Sequence, residues 1–346
     1  MQIFDQYSDL LQRIEQKGYP SQILGHTPDG APLVCIRTGG EKTPAIFISA
    51  GSHSTEQAGV GAAMGLLDAL DTEHQVYIIP TRDPMGMNGY AYALSLSLGE
   101  EPELNSVEDV EKILRTHGEV LYEEDETIVA IIGEYGYSTK GIFGKFEVGV
   151  DFIEPLFGRR IFFPSSAEGI EGTALCQRAY TLIVSPEGEI LHINRFHDTA
   201  WSPVEPRCTR NLMAEIQPGL TLDLHEYGGD GFWFSARHQR NADDEMWEKR
   251  MADAIIRAVA DSGAKLAPEG YSPGSFFETA ERGVFWLIAQ ERGEGLNLAD
   301  YGAHQYGPSF TIETGMTMQG GYQERVQTSM LAAQTAISVF EERWVK

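Results

Sequence analysis

Short apolar runs, punctuated by glycines and polar turns, set the pattern of this chain. Pro32 to Arg37 (PLVCIR) and Pro44 to Ala50 (PAIFISA) are such runs and read as buried strands. From Thr55 to Leu70, small and apolar residues recur at helical spacing and predict a helix, and Gln75 to Pro80 (QVYIIP) reads as a further strand. Strand, helix and strand in close order predict a sheet covered by helices. The rhythm returns in the second half. Glu205 to Ile216 reads as a helix, Leu220 to His225 (LTLDLH) as a strand and Asp243 to Ser262 as a long helix. Ser309 to Glu313 (SFTIE) then reads as a strand, and Tyr322 to Arg343 as a closing helix.

The stretch from about Ala91 to Cys176 breaks this rhythm. It holds an acidic patch, Glu119 to Glu126, and a glycine-rich run, Gly133 to Gly149, and reads as an insertion over one end of the sheet. After it, Ala179 to Ile193 (AYTLIVSPEGEILHI) predicts a hairpin around Pro186-Glu187-Gly188. No internal repeat or low-complexity segment is present. A chain of 346 residues can bury one large core. The expectation is one domain over residues 1–346, with an insertion at about 91–176.

Composition narrows the class. Hydrophobic residues make up 42%, as in a soluble globular protein, and no window approaches the ~18 uninterrupted apolar residues of a spanning helix. The start, Met1 to Asp9, has neither a basic residue nor a long apolar run, so no signal peptide is expected. With 26 basic against 51 acidic residues, the formal net charge of −25 repels phosphates and anionic lipid headgroups. Nucleic acid and membrane are therefore not expected as partners. The three cysteines, Cys35, Cys176 and Cys208, are odd in number and form no CxxC pair. That argues against a disulfide framework and a cysteine metal site, and a reducing cytoplasm is the simplest location.

Three strand ends carry chemistry. Ser49 to Glu56 (SAGSHSTE) brings a strand into a glycine turn, with His53 and Glu56 at the mouth of the following helix. Residues three apart there share a side, so imidazole and carboxylate can converge on one ion. A serine cap at Ser52 or Ser54 is the alternative use of the same residues. Leu222 to Tyr227 (LDLHEY) delivers His225 at the end of an apolar strand, where open α/β sheets collect their sites. Ser309 to Gly315 (SFTIETG) alternates, with Phe310 and Ile312 on one face and Thr311 and Glu313 on the other. A carboxylate at the end of an apolar strand is costly unless paired, hydrated or functional. Two histidines and a glutamate with one open position make a catalytic zinc site, and a further glutamate can take a proton from water there.

HSTE, LDLHEY and SFTIE occur here in the order seen in the zinc carboxypeptidase family, which this sequence resembles. The resemblance runs from about Pro44 to the C-terminal helix, and is missing through most of Ala91 to Cys176. It implies an α/β class fold, three-layer α/β/α with a mixed, twisted central sheet. It implies one zinc ion held by His53, Glu56 and His225, with Glu313 as general base. His192-Ile193-Asn194-Arg195-Phe196 looks like the family's DLNRNF segment, which implies that Asn194 and Arg195 grip the substrate's terminal carboxylate. A turn with a solvated arginine is the plainer use of that pair. Val204 to Arg210 resembles the family's SEPET helix start.

Thr81 to Gly89 (TRDPMGMNG) looks like the family's NPDG turn, with Arg82-Asp83 where the family has its asparagine. The family also polarises the scissile carbonyl with an arginine. Arg82, Arg159 and Arg160 are candidates, Arg82 foremost. For the family's mobile substrate tyrosine, Tyr271 is chosen over Tyr301 and Tyr306. The implied activity is hydrolysis of an amide next to a free carboxylate, on a small peptide. The related deacylase branch, which resembles succinylglutamate desuccinylase and aspartoacylase, uses the same metal set on N-acyl amino acids. A metal-binding scaffold without catalysis is the third alternative, and Glu226 is the next carboxylate to consider as base.

Overall fold

The computed structural model of this chain describes residues 3–143, 146, 150–239, 241–287 and 295–345. Part of the glycine-rich run Gly133–Gly149 lies outside them. The strands are β1 (Ser21–His26), β2 (Pro32–Gly39), β3 (Lys42–Ala50), β4 (His74–Ile79), β5 (Glu119–Glu124), β6 (Thr127–Ile132), β7 (Tyr135–Ser138), β8 (Arg160–Ser165), β9 (Arg178–Val184), β10 (Ile190–His192), β11 (Leu220–Tyr227), β12 (Phe232–Arg237), β13 (Phe277–Glu281), β14 (Val284–Leu287) and β15 (Ser309–Gly315). The helices are α1 (Tyr7–Lys17), α2 (Gln57–Ala69), α3 (Pro84–Met87), α4 (Tyr90–Leu98), α5 (Val107–His117), α6 (Val204–Ile216), α7 (Ala242–Asp261), α8 (Leu298–Gln305) and α9 (Gly321–Glu342).

Nine strands form the main sheet, in the order β1-β2-β4-β3-β11-β15-β12-β14-β13. Its centre is parallel, β4 with β3, β3 with β11 and β11 with β15; on one side β1 and β2 pair antiparallel to their neighbours, and on the other β12 is antiparallel to β15 but parallel to β14. The two-residue alternation of each strand divides the core. Val34, Ile36, Ile46 and Ile48 pack against α1, α2, α7 and α9, while Leu33, Cys35 and Phe47 pack against α6 and α8. The result is the expected three-layer α/β/α architecture. Because β3, β11 and β15 run parallel, their carboxyl ends open on one edge, and the chemistry-bearing residues collect there.

The stretch without rhythm builds a second sheet of six strands, β10-β9-β8-β7-β6-β5, and the predicted hairpin supplies β9 and β10. Helices α4 and α5 cover one face through Leu94, Val110 and Leu114 against Ile128, Ala130 and Phe162. The other face carries Val129, Ile161, Leu182 and Val184 under Ile153 and Leu156. Its strands are short and interrupted by turns, which is why no long apolar period marks them in the sequence. Among the described residues, no helix is long and apolar enough to cross a membrane.

Candidate active site

Strand β3 is followed by Gly51, at φ +60°, where a Cβ would sit 2.5 Å from the Thr81 hydroxyl. Only glycine makes that turn. The chain then presents His53 and, at the N-cap of α2, Glu56. The Glu56 carboxylate makes no cap bond. Its two oxygens instead lie 2.5 Å from His53 Nδ1 and 2.9 Å from His225 Nδ1. The serines do not cap either: Ser54 donates to the Ala179 carbonyl at 2.7 Å, and Ser52 accepts from Arg82. Helix α2 leans closely on β11 because residue 59 is glycine; a Cβ there would stand 2.8 Å from the Leu224 carbonyl oxygen.

His53, Glu56 and His225 each offer a ligand atom, and these atoms lie within 4.8 Å of one another. Each imidazole is oriented from behind. His225 Nε2 lies 2.8 Å from Asp223 Oδ2, and His53 Nε2 lies 2.9 Å from His192 Nδ1. Burial, with the charges of Arg195 and His53, holds His192 well below the ordinary histidine range, so it is neutral and can accept. Both histidines can thus carry their proton on Nε2 and turn Nδ1 to a cation, the arrangement that fixes ligating imidazoles. Burial alone would raise Glu56, but His53 and His225 bring its carboxyl down to about 2. Burial opposes the charge of His225, yet Asp223 and Glu56 hold its imidazolium well above the usual range. Two imidazole nitrogens and a carboxylate oxygen fit a divalent zinc ion with a position to spare.

Glu313 stands in register with His225 on the adjacent parallel strand. Its Oε2 is buried without a hydrogen-bond partner among the described residues. Burial raises its carboxyl to about 8; His225 opposes this, and the negative Glu56 and Asp223 add to it. Glu226, the alternative base, is on the other face of β11. Its oxygens accept from the Ala58 amide at 2.7 Å and from Arg325 Nε at 2.6 Å, so it anchors α2 and α9.

Arg82 departs from expectation. Its guanidinium is fully buried and donates to both oxygens of Asp223 at 3.0 Å, to Asn194 Oδ1 at 3.0 Å and to Ser52, with His197 Nε2 at 3.0 Å. A buried carboxylate demands such a counter-charge, and Arg82 supplies it beneath the site instead of facing a substrate. Asn194 departs likewise. Its Nδ2 donates to Asp223 Oδ2 at 3.1 Å, and its Oδ1 also accepts from the Leu298 amide at 3.0 Å. It braces the His225 support. Arg159 donates to the Gly133 carbonyl and Arg160 pairs with Glu205, so both are engaged in the second sheet's surroundings.

Arg195 is half-buried, donates to the Asn194 carbonyl at 2.9 Å and acts electrostatically on His192 and Tyr180, so it borders the centre. Tyr271 is half-buried against Tyr227 and Trp233, with ring centroids 5.3 and 6.1 Å away; burial and then the Glu313 charge raise its phenol. Tyr301 is buried and packs near Tyr306 and His197.

Four contributors were not singled out from sequence. Asp223 was legible, since it lies two residues before His225 and strand alternation puts both on one face. His192 lay inside the HINRF segment without a recognised role. Tyr180 stacks on the His53 ring, centroids 5.3 Å apart and planes 17° apart. Glu168 sits beside Thr55, its amide donating to the Thr55 carbonyl at 3.0 Å. Burial, then the Glu56 charge, raise its carboxyl to about 7. No local pattern marks Tyr180 or Glu168, because the second sheet brings them to the site.

No protein-family model matches the sequence, and no curated protein matches it either. Solved structures do match the fold. A metallo-carboxypeptidase from Pseudomonas aeruginosa, in complex with (2-guanidinoethylmercapto)succinic acid, is 11% identical at TM-score 0.52, over 97% of this chain and 69% of that one. Bovine thrombin-activatable fibrinolysis inhibitor, in complex with tick carboxypeptidase inhibitor, is 13% identical at TM-score 0.51, over 97% and 96%. A metallo-carboxypeptidase from Burkholderia cenocepacia is 13% identical at TM-score 0.50, over 98% and 69%. At such identities the likeness is one of fold, and the chain has the three-layer α/β/α fold of the metallo-carboxypeptidases.

Proposed function

We propose that this chain is a zinc-dependent hydrolase that cleaves an amide bond next to a free carboxylate, as a metallocarboxypeptidase does. The observation that carries this reading is the convergence of His53, Glu56 and His225 within 4.8 Å, with Glu313 in register beside His225. One zinc ion held by the three ligands would supply Lewis acidity and make water acidic near neutral pH. Glu313 accepts the proton at Oε2 and returns it to the leaving amine. A cation at the ligands favours the ionised form of Glu313, offsetting the burial that keeps it protonated in the metal-free protein. Arg195 clamps the substrate carboxylate with its planar fork. Arg82 and Asn194 hold Asp223, which holds His225. The partner is a small peptide or an N-acyl amino acid. The thiols of Cys35, Cys176 and Cys208 are unpaired, which supports a reducing compartment such as the cytoplasm.

Elemental analysis and a substrate panel test the reading. About one zinc per chain is expected, with hydrolysis of peptides bearing a free terminal carboxylate and slow turnover of their amides. Arg195→Ala should narrow that difference. Turnover of N-acyl amino acids alone would move the assignment to a deacylase. A zinc-loaded protein inert to the whole panel would make it a metal-binding scaffold.

A further inference from the structure

The second sheet reaches the candidate active site, and its strand order spaces charges across it. Tyr180 is on β9, opposite Phe163 of β8. Arg195 follows β10, and Glu168 follows β8. Since the order is β10-β9-β8, the segments that carry Arg195 and Glu168 leave the sheet on opposite sides of the strand that bears Tyr180, and both charges act on the Tyr180 phenol. Two strand spacings separate such flanks, on the order of 10 Å. Tyr180 stacks on the ligand His53, which ties this wall to the metal position. The bond from the Glu168 amide to the Thr55 carbonyl, at 3.0 Å, sets Glu168 next to Glu56.

The Glu168 carboxylate has no ion-pair partner among the described residues. Arg325 touches only its backbone carbonyl, at 3.4 Å, and spends Nε on Glu226. Glu56 is already committed to two histidines. A partly buried, unpaired carboxylate next to another one is unfavourable until a cation joins it. An extended peptide rises about 3.3–3.6 Å per residue, so roughly three residues span the distance from Arg195 to Glu168.

We propose that Glu168, with the Tyr180 hydroxyl as a second acceptor, binds the free amino group of the substrate, so that the substrate is a short peptide of about three residues recognised at both charged ends. The proposal rests on the hydrolase reading for the carboxylate at Arg195. It extends that reading to the amino side of the scissile bond.

The test compares an Ala-Ala-X mixture, X covering the twenty residues, with the same mixture N-acetylated. Loss of each peptide is followed by mass spectrometry on zinc-loaded protein. Binding is followed by affinity selection on zinc-loaded Glu313→Gln protein. The unacetylated peptides should be favoured at least about tenfold in both readouts. Glu168→Gln should erase the preference by weakening the free-amine peptides alone, and Tyr180→Phe should reduce it severalfold. Zinc content and Tm confirm that each variant is folded. Equal or better handling of the acetylated mixture by the unmutated protein overturns the subsite and leaves the hydrolase standing. Selective binding of free-amine peptides without any hydrolysis supports the subsite and overturns the hydrolase. Absence of both binding and hydrolysis overturns both.

Discussion

Asp223 bears opposing demands at the residue scale. It is fully buried, faces Arg82 and orients His225. Burial alone would raise its carboxyl, but Arg82 and His225 hold it well below the ordinary range. Asp223→Asn leaves Arg82 buried without its counter-charge, a loss commonly worth about 3–5 kcal/mol. Because the folded carboxyl is depressed, its contribution is present in full above the unfolded value near 3.8, shrinks as pH falls below it, and is lost only as pH falls through the much lower folded value. Urea denaturation of metal-free protein should therefore show a gap between wild type and Asp223→Asn at pH 5 that narrows progressively below about pH 4. A gap at pH 2.5 as wide as at pH 5 would refute this account. Glu313→Gln is the complementary variant. Its charge is not needed for folding, so zinc content and Tm should stay near wild type while kcat falls by at least about a hundredfold. Loss of zinc would make Glu313 a ligand, and retained activity would make it a bystander.

At the scale of elements, helix α2 and the three parallel strands set the ligand geometry. Gly59 is where α2 touches β11. A methyl at that position would stand 2.8 Å from the Leu224 carbonyl, closer than real Cβ contacts allow. Gly59→Ala must push α2 away from β11 and carry Glu56 with it. The expected result is a loss of about 1–3 kcal/mol in stability, together with weaker zinc binding. Unchanged zinc affinity would show that Glu56 tolerates the shift. The strand ends also predict a proton count. In the metal-free protein the His225 imidazolium lies between Glu56 and Asp223, and a cation at Nδ1 must displace that proton. Zinc affinity should therefore rise with pH between about 6 and 8, with release of about two protons per ion, one from His225 and one from Glu313. Calorimetry in buffers of different ionisation enthalpy reads both, and an affinity flat with pH would contradict the assignment.

For the whole molecule, one ion would join elements from distant parts of the chain. His53 and Glu56 follow β3, and His225 lies near the end of β11. Zinc at 100 times its Kd should stabilise the fold by about 2.7 kcal/mol. A strong chelator should then lower Tm for wild type and leave His225→Ala unmoved. The second sheet is tied to this centre through Tyr180 on His53 and through Arg325, which bonds the Glu168 and Gly169 carbonyls while pairing with Glu226.

The sequence by itself determined the central strands of the main sheet and the candidate metal site at their ends. Apolar runs such as Pro44 to Ala50 are local signals, and a strand buried on both faces needs no distant partner to be recognised. His53, Glu56, His225 and Glu313 were legible because each follows or ends such a run, and parallel strands deliver their ends to one edge. Asp223 was within reach by alternation alone. The tertiary structure decided the rest. Arg82 and Asn194 suited contact with substrate by residue type, yet the buried charge of Asp223 drew both beneath the site. Glu226 adjoins a ligand in sequence, but the two-residue period of β11 turns it to the opposite face. Glu168 and Tyr180 gain their meaning only from the packing of the second sheet and the loop after β8 against the turn between β3 and α2. That packing joins residues more than a hundred positions apart, a pairing no local pattern encodes.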